Sequence, residues 1–430
     1  MNSSDHSNKN FAHPVWFQKP VFGWPIVIAC FIGMSGNVGP LLYASFAFII
    51  RDLESEFGWS RSSMTLSITL LTLTSATIQP IFGRLVDRFG VRRTLIPSLL
   101  MMAVVLATVP LYLNQVWHLW LAFILVAILG VANNNLSFIR LIATWFDKRR
   151  GLMIGLIASG TGLGLAILPK ITAQVVANYG WQGGFIFYGL FIACFTIPIM
   201  YFFVRDTPES VGLRADGAGK PDKDTPSTDM SGLSLGDAMR TRGFWLLFIG
   251  VLFASFALWG ITNQMGLILI DRGFTPTLAA SVAVSLGLSM SAARLIIGYL
   301  LDKIFAPVIG GMIFLLTAIG FSLLAYIPTQ WAPFIAASLL GAGLGAETEL
   351  MGYMVSRYFG LRRFGTIYGL VFVGFLLGTS GGPYMYAKTQ EILGSYDPAL
   401  KTMILLMLVT AVMFASMGKY DRYRSKFSHD

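Results

Sequence analysis

Long apolar runs separated by short polar breaks set the pattern of this chain. About 20 consecutive apolar residues suffice to cross ~30 Å of hydrocarbon as a helix. Twelve such spans are predicted, at 23–50, 62–82, 94–113, 118–143, 151–178, 184–204, 243–270, 276–299, 307–327, 332–355, 364–388 and 399–418. The runs are continuous rather than alternating, which predicts helices and not the strands of a barrel. One long polar stretch, 205–242, divides the spans six and six. Its run of Gly, Pro and charged residues from Asp216 to Pro226 predicts a flexible linker. Its tail, Ser234 to Arg242, predicts a short interfacial helix with Leu235 and Met239 on one face. The expected organisation is an N-terminal tail 1–22, a six-helix bundle 23–204, the linker 205–242, a second six-helix bundle 243–418 and a tail 419–430.

Composition agrees with a multi-spanning, all-α membrane protein. Of 430 residues, 55% are hydrophobic and only 12% charged, half the usual ~25%. A soluble fold of this size could not hide that much apolar side chain, because its surface still grows with mass. Disordered, collagen-like and disulfide-stapled chains are excluded on the same grounds. Cys30 and Cys194 both lie in apolar runs and read as small hydrophobes. Residues 1–22 lack the short charged start and cleavage site of a signal peptide, so the first apolar segment is expected to persist.

The net charge of +10 needs a second reading, because it could also mean nucleic acid. With the N-terminus inside, 23 of the 31 Lys and Arg fall on inside segments, 5 on outside ends, and Arg140, Lys170 and Arg294 within spans. That bias is the positive-inside pattern. It predicts both termini in the cytoplasm, and it explains the basic balance without nucleic acid. A multi-pass monomer is expected, in a bacterial inner membrane.

The halves repeat. Gly83-x-x-x-Asp87 after span two returns as Gly298-x-x-x-Asp302 after span eight, at an offset of 215. Phe57-Gly58-Trp59-Ser60 is echoed by Arg272-Gly273-Phe274-Thr275 at the same offset. The segment from Trp145 to Gly151 is echoed by Tyr358 to Phe364 at 213. Three matches at nearly one period indicate a duplicated six-helix unit.

These residues carry a resemblance. The run from Gly83 to Arg93 matches the G-x-x-x-D-x-x-G-x-R-R loop signature of the major facilitator superfamily, and the second copy keeps Gly298 and Asp302 but not the later Gly and Arg pair. Phe22-Gly23-Trp24, Glu56 to Arg61, and Arg357 to Gly360 are similar to the monocarboxylate and oxalate–formate transporter branch. The resemblance covers the chain from about Phe22 to Tyr420. It implies two pseudo-symmetric six-helix bundles working by alternating access. It also implies a gating cluster of Gly83, Asp87, Arg88, Arg92, Arg93 and Asp302, with Asp87 capping the start of span eleven near Phe364. The bland reading of the same cluster is a topogenic charge run.

Charges inside spans need a reason, since each costs at least ~2.5–3.5 kcal/mol there. Arg294 resembles the carboxylate-binding Arg of the monocarboxylate transporters, though their acid one turn earlier is replaced by Met290; the alternative is an Arg snorkelling to the surface. Arg140 resembles a cavity-facing Arg of organic-anion symporters, or else an interfacial Arg. Asn133, Asn134 and Asn135 above it suit a wetted wall. Glu347 and Glu349, about fifteen residues into span ten, are candidates for proton coupling or for structural pairing with Arg357 or another cation. Lys170 could face an outer vestibule or pair with Glu347. Asn37, Tyr43, Asn263 and Gln264 complete the expected cavity lining.

Three in-span cations against two acids favour an anionic cargo. The leading expectation is a secondary transporter of a small organic anion, a mono- or dicarboxylate, by proton symport; an electroneutral organic anion exchanger is the alternative. No phosphate-binding Gly-rich loop occurs, which points to a gradient as energy source. The four histidines, His6, His13, His118 and His429, form no pair suited to metal or acid–base catalysis, so neither an enzyme nor a cofactor is expected.

Overall fold

The computed structural model describes residues 23–217, 232–327 and 329–420, and the regular elements within them are helices. The expected tail 1–22, residues 218–231 of the linker and residues 421–430 lie outside the described residues.

Twelve apolar passages follow in order. α1 comprises Trp24–Ser35 and Phe46–Phe57, joined through a π-helical turn at Gly39–Ala44. α2 is Arg61–Phe89 and α3 is Val91–Tyr112. α4 comprises Val116–Leu129 and Asn135–Trp145. Arg150–Phe203 runs on without a loop but reverses at Gly180, whose φ of 67° only glycine adopts readily; residues 150–179 form α5 and 181–203 form α6. After the linker come α7 (Arg242–Asp271), α8 (Pro276–Leu301), α9 (Ala306–Tyr326), α10 (Ala332–Phe359), α11 (Phe364–Leu393) and α12 (Asp397–Ala415). The short helix expected before α7 forms at Leu235–Met239, where the Ser234 hydroxyl accepts from the Asp237 N–H.

Span four departs from the continuous helix expected. It breaks at residues 130–134, and side chains take over the backbone bonds that the break releases, as a membrane interior demands. Ser98 of α3 donates to the Leu129 carbonyl and accepts from the Ala132 N–H at 3.2 Å. Asn134, in extended backbone, accepts from the Asn135 N–H at 2.7 Å and starts the second half. Asn133 reaches out of the break and donates to the Gly36 carbonyl at 3.0 Å, where α1 is itself interrupted.

The packing repeats as the sequence does. In the first half α1 lies along α5, α2 along α4 and α3 along α6; in the second, α7 lies along α11, α8 along α10 and α9 along α12. The two bundles meet through α2 against α11 and α5 against α8. Glycines set how close they come. A Cβ on Gly365 would stand 2.6 Å from the Gly83 carbonyl oxygen, and one on Gly298 would stand 2.6 Å from the Gly151 carbonyl oxygen. The deeper faces of α5 and α11 use Gly164 and Gly378 to approach α1 and α7 in the same way. All these inter-bundle contacts sit in the half of the molecule that carries the Arg84–Arg93 loop and residues 23 and 420, called here the basic end. Toward the other end Gly266 and Gly287 have open space around them, and Leu288 is 68% exposed.

Because no side chain fits between Gly83 and Gly365, Gly365→Val is expected to hold the basic end open. Spin labels at the exposed Arg88 and Arg362 would report a shift to longer distances by pulsed electron resonance; an unchanged distance distribution would show that this contact does not limit closure.

Candidate functional site

Two aspartates close the basic end, each standing at the end of one bundle's second helix and capping the fifth helix of the other bundle. Asp87 accepts from the Gly365 N–H at 2.9 Å, the Thr366 N–H at 2.8 Å and the Thr366 hydroxyl at 2.6 Å. Asp302 accepts from the Gly151 N–H at 2.7 Å and the Leu152 N–H at 2.9 Å. The first N–H groups of a helix have no partner of their own, and they carry the positive end of its dipole. A carboxylate from the opposite bundle satisfies both demands only while the bundles touch.

The two caps differ in their cations. Asp87 is buried and paired with Arg140, itself 7% exposed. Among the described residues Asp302 has no such partner in contact. Around it stand Arg150 and Arg357, which share Asp147 at 3.2 and 2.8 Å, and Arg150 also donates to Ser356 at 3.1 Å. Burial pushes the Asp302 carboxyl above its ordinary range, while the Leu152 and Gly151 N–H donors and the Arg357 and Arg150 charges pull it back.

This arrangement corrects several expectations. Arg140 is paired with Asp87 at the contact between the bundles and not placed in a cavity, because a buried carboxylate at that depth requires a cation. Arg88 lies exposed over the Phe89 ring at 5.3 Å. Arg92 stacks on Tyr201 and donates to its carbonyl at 2.9 Å, while its own N–H reaches Asp206. Arg93 is exposed. Among the described residues none of these three arginines spans the two bundles; Gly83, Asp87 and Asp302 do. Arg357 pairs with Asp147 rather than with a span-ten glutamate. Asp147, Arg150 and Thr366 were missed as residues of this contact; the echo between Trp145–Gly151 and Tyr358–Phe364 covers the first two and ends just before Thr366.

About eight residues, or ~12 Å, deeper than Asp302, Arg294 lies at the seam between the bundles. It is 7% exposed and donates across the seam to the Ala158 carbonyl of α5. Its Nε stands 3.7 Å from Glu349 Oε1 of α10. That is an ion pair without a hydrogen bond: both Arg294 Nε and Glu349 Oε1 lack partners, and Thr348 holds the other carboxylate oxygen at 3.0 Å. On α11 the buried Tyr368 hydroxyl is also unpartnered. On α2 both amide atoms of the fully buried Gln79 are unpartnered, and its carbonyl packs against Gly369, next to Tyr368. Buried polar atoms are nearly always bonded, and these four side chains bring five unpartnered ones to the contact between the bundles. Sequence reading missed Gln79 and Tyr368; a polar Gln before Pro80 within an apolar run was the available signal.

The other expected residues lie elsewhere. Glu347, two residues from Glu349, turns into its own bundle and accepts from Ser255 of α7. Asn133 is fully buried as the strut between the breaks in α4 and α1. Asn37 is 6% exposed and accepts from the Gly39 N–H at 2.9 Å within the α1 break. Tyr43 is 44% exposed and bonded to Thr72 at 2.7 Å. Gln264 is half-buried, and the Asn263 side chain lies outside the described residues. Lys170 is exposed and makes no ion pair among the described residues.

Arg140→Gln leaves Asp87 buried without its cation and is expected to weaken the closed basic end by about 3–5 kcal/mol, visible as a longer Arg88–Arg362 label distance. Asp302 adds a pH dependence. Its carboxyl binds protons more tightly in the closed state than when open to water, so acidification toward its ordinary range favours closure. In Asp302→Asn that contribution should vanish while closure persists at neutral pH; an Asn variant with the wild-type pH response would remove Asp302 as its source.

Comparison with known proteins agrees with the fold. The chain is 24% identical over 323 residues to the uncharacterized MFS-type transporter YhjX of Escherichia coli, covering 74% of this chain and 77% of that one. It is 23% identical over 386 residues to monocarboxylate transporter 11 of Mus musculus, covering 87% and 79%. The crystal structure of the human organic anion transporter MFSD10 superposes with a TM-score of 0.67 at 15% identity, over 91% of this chain and 99% of that one. Residues 26–383 match the profile of the Major Facilitator Superfamily, and with the duplicated bundles and their reciprocal aspartate caps the chain belongs to that family of membrane transporters.

Proposed function

We propose that this protein is a secondary transporter of a small organic anion, a mono- or dicarboxylate, taken up with a proton by alternating access. The observation that carries this reading is the Arg294–Glu349 pair, buried at the seam between the bundles with its facing donor and acceptor unfilled. A guanidinium offers parallel N–H donors that match a carboxylate. A substrate carboxylate at Arg294 would compete with Glu349 for the same cation. Two carboxylates beside one guanidinium leave a net charge, which is costly at this depth. The site returns to neutrality when Glu349 carries a proton, so anion and proton cross together. The similarity to a monocarboxylate transporter and to an organic anion transporter supports the cargo class. The cation bias toward the basic end supports a cytoplasmic location for that end, and with it both chain termini.

Uptake into proteoliposomes across a panel of mono- and dicarboxylates tests the reading. Arg294→Gln is expected to abolish uptake; wild-type uptake by that variant would refute the site. Glu349→Gln is expected to keep counterflow of labelled substrate while losing accumulation driven by an inward proton gradient. Unchanged gradient-driven accumulation would leave the anion site standing and point to exchange without a proton.

A further inference from the structure

A groove of about 340 Å³ opens between α2, α3 and α4, on the outer flank of the first bundle and away from the seam. Its volume falls in the range that holds a drug-sized molecule. Its walls are apolar and partly bare: Leu85 is 46% exposed, Phe89 46% and Met101 49%. Arg93 lines its mouth, and no acidic residue lines it anywhere. Arg88 does not line the groove itself but sits 5.3 Å over the ring of Phe89, which does, and so brings a second guanidinium near the mouth. From Arg93 to Met101 on α3 is eight residues, or about 12 Å of descent along the helix. The deep end reaches Ile128, Leu129 and Val131, at the break in α4.

A cationic mouth at the basic end, leading to an apolar trough that runs toward the membrane centre, matches one kind of molecule. The geometry points to a binding site for an anionic phospholipid, with its phosphate on Arg93 and one acyl chain lying in the groove against the α4 break. Charge complementarity selects the headgroup: a zwitterionic lipid presents the same chains but no net negative charge to the two arginines. Free phosphate would satisfy Arg93 but leave the trough unfilled. The site also accounts for a signature arginine that takes no part in the gate. It does not depend on the cargo proposed above, because no residue of the seam lines it.

Native mass spectrometry of the full chain released from nanodiscs of equal phosphatidylglycerol and phosphatidylcholine tests the assignment. One phosphatidylglycerol should remain bound per protein, in clear preference to phosphatidylcholine. Arg93→Gln should lower that occupancy roughly fivefold, as expected for one cation at a membrane surface, and Arg93→Lys should restore most of it. Leu85→Trp, at a lipid-exposed position where a larger ring is tolerated, should lower it as well by filling the trough. Equal retention of the two lipids, undiminished binding in both Arg93→Gln and Leu85→Trp, or displacement by millimolar inorganic phosphate would overturn the proposal. None of these outcomes bears on carboxylate uptake, which reports the seam separately.

Discussion

A charge held in the hydrocarbon layer must be answered by something close by, and this protein answers most of its buried charges from another helix. Asp87 of α2 is met by Arg140 of α4 and by the start of α11. Glu349 of α10 is met by Arg294 of α8, whose Nη1 crosses to α5. Such partners are available only in one arrangement of the helices. The low dielectric that makes an unanswered charge expensive therefore makes each contact a sensor of conformation. Where the two bundles touch, electrostatics and packing demand the same geometry, because the glycine contacts that let the backbones approach also bring the carboxylates within reach of the N–H groups.

Duplication explains why there are two caps, but not why they differ. The repeat preserves the Gly and Asp of each loop and the small residues at the start of α5 and α11, so both caps have two N–H donors at hydrogen-bond distance. It does not preserve Arg140. The first cap is a buried, charge-compensated unit that gives way only at the cost of exposing or stranding two charges. The second is a carboxylate with cations nearby and none in contact, held in a partly buried place that disfavours its charge. The first cap is thus held by a paired charge, and the second by a carboxylate whose burial works against its charge.

The fold was legible in the sequence because hydrophobic length is a local property. Twelve apolar runs, the cation bias and the repeat needed no knowledge of which helix touches which. The reach of Asp87 to the start of span eleven was legible too, through the resemblance. What the sequence hid is the direction of side chains across helix boundaries. Arg140 and Arg294 look alike in one dimension, each a lone cation in an apolar run. Packing sends one to a buried aspartate and the other to the seam. Glu347 and Glu349 are separated by one residue, and the roughly 200° between them on a helix turns one into the C-terminal bundle and the other toward Arg294. The breaks in α4 and α1 escaped notice because hydropathy does not register where a run stops being helical; the three consecutive asparagines at 133–135 were the trace they left.

In the proposed reading, Arg294 joins recognition to movement within a single planar group. One nitrogen holds the α5 carbonyl of Ala158 and so belongs to the closed seam, while Nε faces Glu349 and is left to be filled. In the proposed cycle a carboxylate that docks on Nε competes with Glu349 and tugs on the same rigid fork that clasps the other bundle. A ligand shifts a conformational equilibrium only by the difference between its affinities for the two states. That difference arises here without a relay of intermediates: the guanidinium cannot turn to improve its grip on the guest without altering its grip on Ala158. Coupling of this kind requires a cation fixed at the seam, which is why a snorkelling Lys, free to follow its guest with a flexible stem, would bind the same anions and move the bundles less.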